Sequence, residues 1–208
     1  MKRLLGLTLV GLFLLALPGT VFAASLTKNF AVSATIPLTS SISINASSIN
    51  STTKAWTAVT GTALSFDPMT FNTTNGIFLP DHFFAIDAAS SGTTGAPTVT
   101  MTYVEGTNPN GTGHGLGWKT SASFWKVTGS GTATTETGLT LGRKMLKDLA
   151  GTTVAPTDIT GGWLRMYVGI NTGDSTAVPP FTTDMEVFSN ADKAGTYTGT
   201  LSVTATTP

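Results

Sequence analysis

Cysteine is absent from all 208 residues, and charged side chains make up only 11% of them. The missing cysteine excludes disulfide frameworks, thiolate metal sites and cysteine nucleophiles. Lysine plus arginine and aspartate plus glutamate each number 11, so the formal charge at pH 7 is zero. This balance disfavours nucleic acid as a partner. The chain must therefore hold its fold by burial and strand pairing alone.

Polarity is carried by hydroxyl groups instead of charges, since the chain contains 41 threonines along with 23 glycines. Threonine is β-branched and favours strands, whereas glycine favours turns. The composition therefore predicts an all-β fold. The length that remains after removal of a leader suits one domain with a substantial core.

The first 23 residues have the form of a secretory signal peptide. Lys2 and Arg3 precede an apolar run over residues 4–17, and Val21 and Ala23 occupy the −3 and −1 positions of a cleavage site. The run is shorter than the roughly 20 apolar residues that a membrane-spanning helix needs. We therefore expect residues 1–23 to be removed and the product to be exported.

Residues 24–36 follow the leader and show the pattern of a β-strand. Their even positions are mostly apolar and their odd positions carry small or polar side chains, which is the period of a strand with one apolar face. Lys28 is the exception, and its long stem can follow the surface. Pro37 ends the strand because it cannot donate a ladder hydrogen bond. The apolar positions are Leu26, Phe30, Val32, Ala34 and Ile36.

Further short strands are predicted in the domain that spans residues 37–208, separated by clusters of glycine, proline, asparagine and aspartate. They cover residues 38–44, 63–66, 82–86, 98–104, 123–127, 163–170, 185–188 and 196–206. Strands of this length with turn signals between them predict a β-sandwich instead of a parallel α/β sheet.

Two other segments have a different pattern. Met145, Leu146 and Leu149 recur at helical spacing in a basic stretch, so a short helix is predicted over residues 141–149. Residues 129–138 are rich in threonine and glycine and are predicted to be a flexible loop.

Few residues point to catalysis or to metal binding. The histidines are His82 and His114, and neither occurs in a nucleophile motif or at the spacing of a two-histidine metal site. We expect ordinary surface or turn histidines, no enzyme activity, no metal and no cofactor. Residues 171–175 lack the aspartate spacing and the terminal glutamate of a calcium loop and are predicted to form a hairpin turn.

The tryptophans leave two interpretations open. Trp118, Trp125 and Trp163 could line a sugar-binding surface, whereas aromatic residues on sandwich strands more often fill the core. The second interpretation is the more common outcome, and we expect it here.

Two terminal motifs resemble those of the major pilins of the alternate (class 5) chaperone–usher family, which form fimbriae of the colonisation-factor type. They are Lys-Asn-Phe-Ala-Val-Ser-Ala-Thr-Ile-Pro at 28–37 and Ala-Gly-Thr-Tyr-Thr-Gly-Thr-Leu-Ser-Val at 194–203. Between them, Leu-Ser-Phe-Asp-Pro at 64–68 and Gly-Leu-Thr-Leu at 138–141 are similar to internal motifs of these pilins. The absence of cysteine also agrees with this class.

The resemblance implies an incomplete immunoglobulin-like β-sandwich whose missing strand leaves a hydrophobic groove. In that family a periplasmic chaperone first fills the groove, and the N-terminal strand of the next subunit replaces it at an outer-membrane usher. Residues 24–36 would then be the donor strand, and the last strand of the domain would border the groove. The groove residues implied in this way are Tyr197, Gly199, Leu201 and Val203.

The function that this resemblance implies is that of a structural subunit of an extracellular fimbria, exported through the periplasm, which forms a homopolymer and contributes to surface adhesion. A tip adhesin is a further candidate partner. The strand pattern alone leaves open whether residues 24–36 pair within their own domain or with another copy, since both arrangements need the same alternation. A monomeric, secreted, lectin-like binding module is the alternative function, and an enzyme is the remotest.

Overall fold

The structure is a computed structural model that describes residues 41–91, 95–131, 133–173 and 185–207. Within these ranges, eleven β-strands, one short α-helix and two 3-10 turns follow one another. The predicted signal peptide, the predicted donor strand at 24–36 and the first residues of the strand predicted at 38–44 lie outside the described residues.

The elements have the following bounds in chain order. They are β1 (Ser41–Asn50), β2 (Trp56–Ala58), β3 (Met69–Asn72), β4 (Ile77–Pro80), β5 (His82–Ser91), β6 (Thr98–Glu105), α1 (Leu116–Lys119), β7 (Thr120–Ser130), β8 (Ala133–Met145), a 3-10 turn (Leu146–Asp148), β9 (Thr152–Val154), a second 3-10 turn (Pro156–Ile159), β10 (Trp163–Ile170) and β11 (Gly199–Thr206).

The strands form three antiparallel sheets. The largest sheet has the order β2-β1-β5-β10-β7-β8, the second has the order β11-β6-β9, and β3 pairs with β4 in a separate hairpin. Each described pair of strands is antiparallel. The prediction of an all-β fold is confirmed.

The two larger sheets contribute to one hydrophobic core. Phe84 and Ile86 of β5 belong to it, as do Val99 and Met101 of β6. Val99 and Met101 are fully buried, whereas Thr100 between them is partly exposed. This alternation is the pattern of a strand that has one face on the core and the other towards solvent.

A smaller cluster lies on the other face of the six-stranded sheet. Its buried members are Ile49 of β1, Phe83 and Ala85 of β5 and Tyr167 of β10, and the half-buried Trp125 packs against them. Because these residues alternate in sequence with those of the main core, both faces of the central strands are buried.

The helix predicted at 141–149 is wrong. The chain continues as β8 to Met145, which pairs with Ser121 of β7, and only the 3-10 turn follows. Leu146 and Leu149, two of the apolar residues that suggested a helix, are buried by this turn. Pairing with β7 therefore outweighs the local helical spacing.

The flexible loop predicted at 129–138 is also wrong. This segment is the tip of the β7–β8 hairpin, in which Gly129 pairs with Thr134 and Ser130 pairs with Ala133. The threonines here follow their β-propensity, and glycine alone does not make the segment a loop.

Two predicted strands are irregular in the structure. Residues 63–66 pair with no described strand, although the Phe66 ring packs on Phe84 with 5.1 Å between their centroids. Residues 185–188 form no strand, and Lys119 and Asn171 donate side-chain hydrogen bonds to their carbonyl groups. The segment meets β4 at its end, where the N–H of Phe78 donates to the carbonyl oxygen of Phe188 at 2.8 Å. Apolar alternation at these two places reflects burial without a regular strand.

Five predicted strands coincide with observed ones. The predictions at 82–86, 98–104, 123–127, 163–170 and 196–206 fall on β5, β6, β7, β10 and β11. The first three strands extend beyond the predicted bounds, and β11 begins later, at Gly199. Among the described residues no helix is both long enough and apolar enough to cross a membrane.

Gly199 provides a test of how β11 packs on β6. A Cβ atom at this position would overlap the hydroxyl group and ring of Tyr103. We expect Gly199→Ala to lower the free energy of unfolding by about 1 to 3 kcal/mol because the ring has to move. Urea denaturation of the parent and the variant measures this loss.

The matched control is Gly138→Ala on β8, where a Cβ atom would lie 3.6 Å from the Trp125 ring, an ordinary contact. We expect this variant to stay within about 0.5 kcal/mol of the parent. Equal midpoints for the two variants would mean that Tyr103 does not require a glycine beside it.

Candidate functional site

Two sheet edges lie close together beside the core. β11 pairs with β6 on one side, and no described strand pairs with its other side. β1 pairs with β5 along its whole length, but on its other side the bonds to β2 and to the residues that flank β2 extend only from Ala46 to Asn50. Cα atoms of β1 and β11 approach within 8 Å, yet no ladder joins these two strands within the described residues.

The first half of β1 presents apolar side chains at this edge. Ile42, Ile44 and Ala46 share one face of the strand, because side chains alternate with period two. Ala46 packs against the main core, so this face is the core-facing one. Ile42 and Ile44 are nevertheless 39% and 43% exposed.

The facing strand has the same property. Leu201, Val203 and Ala205 of β11 pack against the main core and remain partly exposed. We call these apolar residues on the two strands the edge groove. It consists of Ile42, Ile44, Ala46, Leu201, Val203 and Ala205.

Neither strand of the edge groove carries a charged residue, since β1 reads SISINASSIN and β11 reads GTLSVTAT. Exposed strand edges are commonly protected from further pairing by lysine, by proline or by a bulge. Both edges lack lysine and proline, and they offer backbone donors and acceptors beside a row of apolar side chains. This combination suits the addition of another strand.

The structure places the four predicted groove residues at three different positions. Leu201 and Val203 belong to the edge groove, and Gly199 lies at the start of β11 against Tyr103. Tyr197 precedes the strand, and its ring packs edge-on against Phe188 at 4.9 Å. The five predicted donor-strand residues at 26, 30, 32, 34 and 36 lie outside the described residues.

The contribution of β1 to the edge groove was not predicted. The signal was present, since the Ser-Ile-Ser-Ile sequence at 41–44 alternates as residues 24–36 do. The predicted strand 38–44 ends at Ile44, and pattern alone does not show that no described strand pairs with the outer side of this half of β1.

A buried charge cluster lies where α1 meets β7. Lys119 is 2% exposed, and its Nζ atom donates hydrogen bonds to Glu186 at 2.7 Å, Asp192 at 2.8 Å and the carbonyl oxygen of Val187 at 2.9 Å. An ammonium group has three donors, so this one is fully satisfied. The cluster fixes the irregular segment after residue 185 to the end of the six-stranded sheet.

Both carboxylates of the cluster have further partners. His114 Nδ1 lies 2.8 Å from Glu186 Oε1, and Asn110 donates its side-chain amide to Asp192 Oδ1 at 2.7 Å. The backbone N–H of Ser189 donates to Asp192 Oδ2 at 2.7 Å. A cavity of about 470 Å³ opens beside these residues.

The partners keep the two carboxyl groups ionised. Burial alone would raise the pKa of Glu186, but hydrogen bonds from Lys119 and His114 outweigh burial and lower that pKa below its ordinary value. Burial would also raise the pKa of Asp192, and the donors Lys119, Ser189 and Asn110 lower it. Sequence reasoning did not link these residues, although each charged residue in a chain with so few charges is a candidate for a specific partner.

The histidines differ in their surroundings. His114 lies in a turn with φ of +54°, and its side chain is 65% exposed, so the turn prediction is right for it. The prediction is wrong for His82, whose side chain is only 15% exposed at the start of β5. Its Nε2 atom lies 2.7 Å from the carbonyl oxygen of Ser65, and its ring packs against Phe84.

The tryptophans do not form one surface in the described part of the chain, where no ring contact joins Trp118, Trp125 and Trp163. Trp118 is 36% exposed and has the Lys147 ammonium 4.2 Å from its ring centroid. Trp125 is half-buried in the smaller cluster. A tryptophan that was not considered, Trp56, is 47% exposed.

No protein-family model, curated protein or solved structure matches the chain. The described residues also contain no group of three side chains that could hold a metal ion.

Removal of the buried cation tests the energetic role of the charge cluster. Lys119→Met leaves Glu186 and Asp192 without their main partner, and we expect a loss of about 3 to 5 kcal/mol in the free energy of unfolding. Urea denaturation at neutral pH measures this loss.

The matched control is Lys147→Met, which removes a lysine from a pair with the same 2.7 Å separation but with side chains 25% and 48% exposed. We expect it to cost less than about 1 kcal/mol, as solvent-exposed pairs do. Similar losses for the two variants would contradict a structural role for the burial of Lys119.

Proposed function

We propose that this protein is a structural subunit of an extracellular fimbria, an incomplete immunoglobulin-like β-sandwich that receives the N-terminal strand of another copy in its edge groove. The observation that carries the proposal is the edge groove itself. Two neighbouring strand edges lack charges, and Ile42 and Ile44 face the core side without being covered. A strand added between these edges would complete both sheets at this point.

The proposed occupant is the segment at residues 24–36 of a second copy. Its apolar residues recur at every second position, as do those of β1 and β11, and the step of two residues is about 6.6 to 6.8 Å in each case. Its odd positions carry hydroxyl, amide or small side chains that suit a solvent-facing side. The apolar and polar alternation of this segment therefore matches that of the two strands that form the edge groove.

The buried side chains provide an estimate of the binding free energy. Full burial of a large apolar side chain contributes about 1.5 to 3 kcal/mol. The four larger residues Leu26, Phe30, Val32 and Ile36 would together contribute roughly 6 to 12 kcal/mol before the costs of association and ordering. Backbone hydrogen bonds along both edges would add to this and would fix the register.

An uncovered edge groove also accounts for the other partners that we propose for this protein. Bare apolar strand edges aggregate, so a subunit in transit needs a temporary cover. A periplasmic chaperone provides this cover in the proposed pathway, and an outer-membrane usher exchanges it for the strand of the next subunit. The signal peptide at residues 1–23 starts this route, and a tip adhesin is a further proposed partner. Catalysis has no part in it.

The lectin-like alternative has one observation in its favour. Trp56 is half exposed on the outer side of the six-stranded sheet, and the Arg165 guanidinium lies 4.6 Å from its ring centroid. A flat aromatic ring beside polar groups can stack on a sugar ring. The hydrogen-bonding groups nearby are already engaged, because Arg165 is bonded to Asp87 and Glu136. We therefore place the fimbrial function first.

The donor strand can be tested by substitutions on its two faces. Val32→Asp would place a carboxylate without a partner in the edge groove, at a cost of several kcal/mol, and we expect it to abolish polymer formation. Ser33→Asp, on the outward face, should leave polymer formation close to that of the parent. Electron microscopy and size-exclusion chromatography of the exported protein measure the yield of polymer.

Substitutions on the two faces of β11 test the edge groove in the same way. Val203→Asp should block polymer formation and Thr204→Asp on the opposite face of β11 should not, provided that circular dichroism shows both variants to be folded. Equal polymer yields from Val32→Asp and Ser33→Asp would overturn the donor-strand assignment.

A rearranged chain separates the proposed function from the lectin-like alternative. When residues 24–36 are moved behind residue 208 through a short flexible linker, the strand can fill the edge groove of its own chain at high effective concentration. We expect a soluble monomer with a thermal midpoint at least about 10 °C above that of the chain that begins at residue 37.

The control is the same rearranged chain with Val32→Asp, which should lose the gain in thermal midpoint. A domain that is complete without residues 24–36 would gain nothing from the added strand. Midpoints within a degree or two of each other would therefore count against the fimbrial function and in favour of a monomeric binding module.

A further inference from the structure

The buried charge cluster holds an amine and a carboxyl group in an arrangement that suits bond formation. Lys119 Nζ lies 2.8 Å from Asp192 Oδ1 and 2.7 Å from Glu186 Oε1, and the Phe188 ring centroid is 5.3 Å away. The side chains of Lys119 and Asp192 are only 3% and 13% exposed. We propose that Lys119 and Asp192 condense into an amide, an intramolecular isopeptide bond. This inference does not depend on the proposed function.

The reaction balances without an external reagent. Glu186 is a carboxylate in the resting cluster and accepts one proton from the Lys119 ammonium only transiently, while the free amine attacks Cγ of Asp192. A C–N bond forms, the bond from Cγ to Oδ1 breaks, and this oxygen leaves as water with two of the three ammonium protons. One of these protons travels through Glu186, which ends the reaction as a carboxylate, and the third proton stays on the amide nitrogen.

The contacts of Asp192 assign different roles to its two oxygens. Oδ2 accepts the backbone N–H of Ser189 at 2.7 Å, and this bond can stabilise negative charge on Oδ2 during the attack. Oδ2 therefore remains as the amide carbonyl oxygen. Oδ1 accepts hydrogen bonds from Lys119 and Asn110, and it is the oxygen that leaves.

Burial supplies the driving force. Amine and carboxylate ions in water are well solvated, so their condensation is unfavourable there. A buried ion pair has lost much of this solvation, and the cost of holding two charges away from water is several kcal/mol per ion. Conversion to a neutral amide removes both charges, and the water that forms can escape through the cavity beside the cluster. Packing holds the reacting groups together, which removes the entropic cost of their encounter.

The bond would supply a covalent link to a chain that has no cysteine. It would join the end of α1, directly before β7, to the irregular segment that precedes β11. Because β11 forms one side of the edge groove, the bond would anchor the chain just before that strand.

The test is peptide mapping by mass spectrometry of the full exported chain, purified fresh and again after prolonged incubation. We expect a cross-linked peptide pair that contains Lys119 and Asp192 and is lighter than the sum of the two peptides by one water molecule. Lys147 and Asp148 provide an internal control in the same digest, because they form an ion pair at 2.7 Å in a more exposed place. Their peptide should have its unmodified mass.

Two variants test the roles of the carboxyl groups. Glu186→Gln keeps the size of the side chain but cannot accept the proton, and we expect the cross-linked pair to disappear and the separate peptides to be recovered. Asp192→Asn should form the same amide with loss of ammonia, so its cross-linked pair should have the mass of the parent pair. Recovery of the Lys119 and Asp192 peptides at their unmodified masses from the parent chain after incubation would overturn the proposal. A cross-link that persists in Glu186→Gln would overturn the role of Glu186.

Discussion

Burial of one apolar core shared by the two larger sheets is the interaction on which the rest of the structure depends. The chain has no disulfide, so the six-stranded and three-stranded sheets are held by residues such as Phe84, Met101, Phe124 and Met166. Each of these side chains is on a strand whose backbone groups are already paired within a sheet. In the part of the chain that the structure describes, the two sheets therefore contribute to a common core without sharing a ladder, and the edges of β1 and β11 lie close together without being joined.

The positions of the polar clusters follow from this arrangement. Lys119 ends α1 directly before β7, and its ammonium group bonds to residues after position 185 that have no place in the large sheet. On the outer face of the large sheet, Arg165 joins Asp87 of β5 to Glu136 of β8 across the strands. Six of the charged side chains of this protein are thus joined in these two clusters.

The all-β class and five strands were accessible from the sequence for two reasons. In β6 and β11 the apolar alternation agrees with the burial, whereas β5, β7 and β10 are short apolar runs that are buried on both faces and lie between turn signals. The errors arose where local pattern and tertiary partners disagree, as at residues 141–149, which look helical but pair with β7. For the candidate site, Leu201 and Val203 could be predicted from alternation. Ile42 and Ile44 could not, since an uncovered edge depends on which strands are neighbours, and the charge cluster joins residues far apart in the sequence.

The uncharged edges of β1 and β11 also determine how any partner strand would arrive. Without charged groups there is no long-range attraction to raise the encounter rate, and ionic strength has little to screen. Association with these edges would proceed at the modest rate of unsteered docking and would depend on local concentration. Under the proposed fimbrial function, the joint between subunits would therefore hold equally well in dilute and in saline surroundings.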